Sequence, residues 1–325
     1  MNGLVAVQQN AVLSDGNYPL PAIIQSAGEK ASYRFVDFFV AEIRNKNTRR
    51  AYLQAISIFF AWIEHRYPGI ELVEINSLIV GQFVEFCPGS PTTKNLRLAA
   101  IRKLFAWLVT GGILRDNPTA EVKGPKYRVK QGKTPVLSDE EMKDLFDSFD
   151  VSHVVGLRDR ALVGVMFYSF ARVGAVLSMD VSDYFEKKRR AWFRLHEKGG
   201  KYHEVPAHHT VQEFLDEYLD VAGIRDETIS PLFRTTRGKS RKLTRNRMQP
   251  QEALAMVKRR ALDAGVNPDA CNHSFRASGI TNYLKNGGSR DNAQIIACHE
   301  DIRTTALYDR RDETVSLDEI ERIRL

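Results

Sequence analysis

Between residues 31 and 115, apolar residues return every three or four positions, the spacing that lays a stripe along one side of a helix. Tyr52, Ile56, Phe59, Phe60 and Ile63 form one stripe, predicting a helix that begins near Asn47-Thr48, with one of those two residues as its cap. Leu96, Ala100, Leu104 and Trp107 form a second, over about residues 92–110, which Gly111-Gly112 ends. Four or five helices would fill this block. Residues 1–30 show no such period and read as an arm or lead-in.

A second patterned region begins at Ser138, whose hydroxyl can cap a helix with Glu141 three residues on. Further helices are predicted over about 210–222, 251–264, 273–285 and 289–297, with Gly265 and Gly287-Gly288 as stops. One short β interruption is expected among them. Residues 191–196 and 201–206 are extended runs joined around Gly199-Gly200, a hairpin signal. A two-residue turn there would set Lys201 across from Lys198. Near the end, Val315, Leu317, Ile320 and Ile323 recur at short helical intervals, a stripe that must bury itself somewhere. The divisions that follow are a lead-in (1–30), a helical domain (31–118), a linker (119–135), a larger domain (136–312) and a tail (313–325).

Composition narrows the class. A chain of 325 residues that is 43% hydrophobic can pack two cores. Its net charge of +7 suits a polyanionic partner. Three cysteines, Cys87, Cys271 and Cys298, are few and odd in number, which argues against a disulfide scaffold and for a reducing compartment. No apolar run reaches the roughly 18 residues of a membrane span. The first residues lack the basic and apolar regions of a secretory signal, so a cytoplasmic location is expected. From Val122 to Lys133 the chain carries Lys123, Lys126, Arg128, Lys130 and Lys133 without an acid. A plain tether needs no uniform sign, whereas one lying along a phosphate backbone gains from it.

The candidate chemistry lies in the larger domain. Arg172 sits between apolar runs and must find an anion, either an acid such as Asp180 or Asp183 or a bound phosphate. His273 and Arg276, three apart, share a helix face. Lys198 lies in the hairpin turn, and Cys298-His299 precedes Thr304-Thr305, which can cap a short helix with Tyr308 one turn in. Arg241, Lys242, Arg245 and Arg247 form a basic patch that either grips phosphates or lines a solvated loop, and His208-His209 reads as surface. Cys271, His273, Cys298 and His299 lack zinc-ligand spacing, so no metal is expected, and no cofactor.

The order and spacing of Arg172, Lys198, His273-x-x-Arg276, His299 and Tyr308 resemble the tyrosine recombinase (phage integrase) family, over residues from about 31 to the end. That resemblance implies a mainly α fold with a small antiparallel β element. It further implies a two-domain C-shaped clamp, a helical SAM-like core-binding domain with a mixed α/β catalytic domain of the DNA breaking-rejoining type. The implied activity is site-specific recombination through a 3′-phosphotyrosyl intermediate. Tyr308 would be the nucleophile, favoured as phenolate by nearby cations; Arg172, Arg276 and His299 would hold the phosphate, and His273 would either donate to a non-bridging oxygen or help move a proton. Lys198 matches the family's Gly-Lys-Gly turn and would be the general acid, with Lys201 as the rival. Backbone phosphates would be gripped by Arg49, Arg50, Lys94, Arg97, Arg102, Lys123, Lys126, Arg128, Lys130, Lys201, Arg245 and Arg247. The implied partners are double-stranded DNA and three further copies in a tetramer on paired sites, with accessory DNA-bending proteins allowed. The tail would dock on its own domain or on a neighbouring copy. Three positions depart from the family pattern: Phe170 and Cys298 stand where glycine is usual, and Ala175 where an acid is usual, so another carboxylate is needed beside Arg172. A topoisomerase IB-like relaxer and a DNA-binding protein without catalysis are the alternatives.

Overall fold

The computed structural model describes residues 18–127, 132–197, 201–238 and 240–309. The chain divides into two compact units, residues 1–128 and 129–325. The first is helical: α1 (Ala22–Ser26), α2 (Glu29–Asp37) continuing into a π turn (Phe38–Glu42), α3 (Lys46–Arg66), α4 (Ser77–Phe86) and α5 (Pro91–Thr110). Each long helix starts at a polar cap. The Asn45 side chain accepts from the N–H groups of Asn47 and Thr48, so the two expected caps are instead the capped donors. Ser90 caps α5 ahead of Pro91, and Gly111 closes it.

The core of this unit is aromatic, with Phe59 against Phe83 at 5.1 Å and 80°, an edge-to-face pair. On α5 the expected Ala100 and Leu104 are buried together with Leu98, Ile101, Phe105 and Leu108, while the expected Leu96 is 46% exposed. The expected stripe is two residues out of phase at its start, because Leu98 rather than Leu96 continues the i, i+3 row toward α3. The lead-in is also corrected: Ile23 and Ile24 are buried and Tyr18 stacks on Phe39 at 5.2 Å. At the other end Val122, assigned to the linker, joins the same core, and its carbonyl accepts from Arg102. Residues 1–17 and the linker positions Arg128 and Lys130 lie outside the described residues.

The second unit opens with α6 (Asp139–Asp147), capped by Ser138 and Glu141 as predicted. There follow α7 (Val154–Tyr168), α8 (Val173–Ser178), strands β1 (Tyr184–Lys187), β2 (Arg190–Glu197) and β3 (Lys201–Pro206), α9 (His209–Ala222), β4 (Arg234–Thr236), β5 (Leu243–Arg247), α10 (Pro250–Asp263), α11 (Asn272–Lys285), α12 (Arg290–Ile296) and α13 (Ile302–Ala306). The expected hairpin is β2–β3, extended by β1 to an antiparallel sheet in the order β1-β2-β3. The β4–β5 ribbon is a second, unforeseen β element, so the 241–247 patch is largely strand rather than loop. Strands of three to five residues are too short to declare a period of two.

Helix α7 is buried on nearly all sides, which is why it reads as an apolar run from Ala161 to its end, while the buried Arg158 and Asp159 before that run pair with each other. It meets α11 at Gly279, where an added Cβ would lie 2.1 Å from the Phe167 carbonyl oxygen. A smaller apolar cluster of Phe170, Ala277, Ile280, Leu284, Ala293, Ala297 and Tyr308 joins the end of α7 to α11, α12 and the segment after α13. Among the described residues no helix is long and apolar enough to cross a membrane. The C-terminal tail, with Val315, Leu317, Ile320 and Ile323, lies outside the described residues.

Candidate active site

Helix α7 ends at Ser169, the chain passes through Phe170 at φ 55°, and Arg172 caps α8. That left-handed step turns the Phe170 ring into the small cluster and its carbonyl toward Arg276. The Arg172 side chain is 36% exposed and its partner is neither Asp180 nor Asp183. Asp180 is taken by Arg247 at 2.5 Å, and Asp183 lies 4.0 Å from Arg194. Arg172 pairs instead with Glu197, donating from Nη1 at 2.5 Å and from its backbone N–H at 3.4 Å. Glu197 ends β2 and its side chain is 2% exposed. The sequence holds a signal for it: along β2 Ala191, Phe193, Leu195 and Glu197 are the buried alternates, so an acid occupies a core-facing position.

Helix α11 begins at Cys271, which with Ser274 forms its capping box. That start sets His273 and Arg276 one turn apart. Arg276 is fully buried: Nη1 donates to the Phe170 carbonyl and Nη2 to that of Ala297 at 2.7 Å. Its Nε is buried without a hydrogen-bond partner among the described residues. Glu197 Oε1 lies 4.0 Å from Arg276 Nη1. Burial, then the charge of Arg172, lowers the Arg276 pKa to about 10, with Glu197 opposing.

Around Tyr308 the imidazoles close in. His273 Nε2 lies 2.7 Å from the Tyr308 hydroxyl. The His299 ring is parallel to the phenol at 5.9 Å and 7°, its Nδ1 2.9 Å from the buried Thr305 hydroxyl. Asp301, not Thr304 or Thr305, caps α13, so Thr305 is left to fix His299 and Tyr308 comes just after the helix. Burial, then Arg276 and Arg172, holds His273 below the ordinary histidine range and pushes His299 down to about 3. Tyr308 is 7% exposed. The cations were expected to favour its phenolate; they do pull its pKa down, but burial outweighs them and the phenol is raised above its ordinary value. A cleft of about 460 Å³, lined by Arg172, Glu197, Asn272 and His273 among others, opens beside these groups.

Five of the six sequence candidates, Arg172, His273, Arg276, His299 and Tyr308, are therefore brought together from four segments. Lys198 lies outside the described residues. The register of β2 and β3 sets Lys201 opposite Glu197, not opposite Lys198. Several of the expected backbone-gripping cations are engaged within the protein. Arg49 donates to the Ile43 carbonyl at 3.1 and 2.9 Å, Lys94 to that of Glu85 at 2.7 Å and Arg97 to that of Pro88 at 2.5 Å. Arg102 is held by Val122, and Arg247 by the carbonyls of Leu177 and Met179 together with Asp180. Arg50, Lys123, Lys126 and Arg245 are exposed.

Residues 135–314 match the phage integrase family, and residues 34–112 match the phage integrase N-terminal SAM-like domain. The chain is 26% identical over 275 residues to tyrosine recombinase XerC of Mycobacterium sp. (strain JLS), covering 82% of this chain and 88% of that protein. It is 27% identical over 286 residues to tyrosine recombinase XerD of Listeria monocytogenes serovar 1/2a, covering 84% and 91%. Its fold is similar to a lambda integrase dimer bound to a COC′ core site (TM-score 0.66, 16% identical, 88% of this chain and 96% of that one). It is equally similar to a lambda integrase tetramer bound to a Holliday junction (TM-score 0.66, 15% identical, 88% and 80%).

Proposed function

The chain belongs to the phage integrase family, and from that membership and the geometry around Tyr308 we propose how it works as a tyrosine site-specific recombinase. It cuts and rejoins DNA at specific sites, with the second unit as the catalytic domain and the helical unit gripping the duplex. The carrying observation is the 2.7 Å contact between His273 Nε2 and the Tyr308 hydroxyl, beside two arginines.

Tyr308 Oη attacks the scissile phosphorus. A P–O bond to the tyrosine forms, the bond to the 5′ oxygen breaks, and a 3′-phosphotyrosyl link and a free 5′ hydroxyl result. His273, whose lowered pKa keeps it neutral near pH 7, accepts the phenol proton. Arg172 and Arg276 bind the non-bridging oxygens as charge builds on them, and a phosphate oxygen satisfies the buried Arg276 Nε. His299, fixed by Thr305, adds a donor. Lys198 gives the 5′ oxygen its proton. Because burial disfavours a free phenolate, the phenol passes its proton to His273 as its oxygen bonds to phosphorus, and the developing negative charge appears on the phosphate oxygens that both arginines hold. A 5′ hydroxyl from a partner duplex reverses the step. One phosphoester replaces another, so no high-energy cofactor is consumed. Two duplexes with four exchanged strands call for four protomers.

The test is a duplex carrying the binding site and nicked so that the freed 5′ fragment diffuses away. Wild-type protein accumulates a covalent protein–DNA product and Tyr308→Phe makes none. Binding without covalent product from the wild type would leave a DNA-binding protein and sink the catalytic reading.

A further inference from the structure

The site holds two guanidiniums whose charges oppose each other, and one carboxylate answers both. Arg172 lowers the pKa of Arg276, and Glu197 raises it. Among the described residues no other carboxylate is paired with either arginine. Arg276 needs little help, being buried and gripped by the carbonyls of Phe170 and Ala297. Arg172 is different. Its side chain is 36% exposed, and its one polar partner among the described residues is Glu197. A long guanidinium side chain left unpaired at a cleft would sample many rotamers.

The usual source of that support is missing. Ala175 stands on α8, three residues after Arg172, where the family pattern has its acid, and lines the same cleft with a methyl group. Glu197 stands where the pattern has the first glycine of its Gly-Lys-Gly turn. A carboxylate absent from the helix is thus supplied from the end of β2, 25 residues after Arg172. Its burial shows that this is not a chance surface contact, since an acid 2% exposed on the inner face of a strand is costly unless paired.

We propose that Glu197 is a positioning residue that holds the Arg172 guanidinium in place for the scissile phosphate, doing from β2 what an acid on α8 would do. The proposal rests on the recombinase reading above and deepens it. Glu197 touches neither phosphate nor leaving group; it acts through Arg172. Glu197→Gln keeps the size and an acceptor oxygen but removes the charge that fixes the arginine.

Single-turnover cleavage by the full chain is measured on two nicked duplexes carrying its site, selected by binding from a random-sequence pool. One has the ordinary 5′ oxygen at the scissile bond, the other a 5′ bridging sulfur. In the second, the P–S bond breaks and leaves a thiolate that needs no general acid. A misplaced arginine costs roughly ten- to a hundredfold in rate, and the expected loss for Glu197→Gln is of that size on both substrates alike. Recovery on the sulfur substrate would mean that Glu197 serves the neighbouring Lys198 and would overturn the proposal; so would a wild-type rate on oxygen. A second readout guards against misfolding. On the sulfur substrate, Glu197→Gln added to Arg172→Ala should cost less than about twofold further, because the residue it positions is gone. An equal further loss would show a general structural defect and refute the role. Wild-type protein that forms no covalent product on either substrate fails at the earlier step and takes the recombinase reading with it; wild-type cleavage with an unaffected Glu197→Gln fails the proposal alone.

Discussion

Phe170 and Cys298 both occupy left-handed backbone, at φ 55° and 50°, and both stand where the family pattern has glycine. A side chain in that region costs about 1–2 kcal/mol, so something must offset it. For Phe170 the offset is visible: its ring is 4% exposed in the cluster that seats Tyr308. Phe170→Gly should therefore destabilise, because truncating a buried phenylalanine costs about 3–5 kcal/mol, more than relief of the strain returns. Cys298 is only half-buried, and nothing in the structure explains its choice over glycine. Cys298→Gly should be neutral to stabilising by up to about 1 kcal/mol, the strain relieved less the entropy cost of glycine. Unfolding free energies of the two variants from urea titration should move in opposite directions or, at the least, differ by well over about 1 kcal/mol. The titrating groups give a second expectation. His273 lies below the ordinary histidine value of about 6.5 and must be neutral to accept the Tyr308 proton. Cleavage should hold from pH 8 down to that value and fall only below it, as imidazolium forms. His273→Gln should lower the rate and lose that acid limb in a single-turnover pH series. His299, near 3, stays neutral throughout and adds no limb of its own.

At the scale of elements, the site depends on how closely α7 and α11 approach. Gly279 sits under the Phe167 carbonyl and the Phe170 ring, where a Cβ would meet them at 2.1 and 2.9 Å. The first contact is backbone and cannot swing away, so the helices would have to part. Gly279→Ala should cost at least about 1–3 kcal/mol, the usual range for overpacking, seen as a lower urea midpoint. Cleavage should fall beyond what the lost stability explains, because α11 carries His273 and Arg276 while the end of α7 carries the Phe170 carbonyl that holds Arg276. Elements such as α6, with its Ser138–Glu141 box, were legible because the capping signal is local. The α3 start was legible only to within a few residues: Asn45, Asn47 and Thr48 are all capping types, and which one caps depends on where the chain bends out of the preceding π turn.

For the whole molecule, the expected partner is a polyanion, and the structure sorts which cations are available to it. Arg49, Lys94, Arg97, Arg102 and Arg247 donate to their own backbone, so their loss should first disturb the fold. Arg50, Lys123 and Lys126 are exposed, with no hydrogen bond or ion pair among the described residues. DNA affinity should fall steeply with salt, and each of Arg50→Ala and Lys126→Ala should lessen the log–log slope by about 1 if it meets a phosphate. Mobility-shift titrations across a salt series measure this. A flat response would mean that the net charge of +7 serves no backbone contact.

The amino-acid order alone determined the parts and their sequence: Arg172, His273, Arg276, His299 and Tyr308, and the long helices to within a few residues of their starts. Such signals depend on residue type and near-neighbour spacing, which a linear chain displays directly. Three-dimensional packing decided the rest. It chose Glu197 over Asp180 and Asp183 as the partner of Arg172, a choice between groups that only folding brings within 4 Å. It also set the balance at Tyr308, where loss of water outweighs two positive charges. Desolvation depends on what surrounds a side chain on every side, and that information is spread over α7, α11, α12 and the segment bearing Tyr308 rather than written at any one of them.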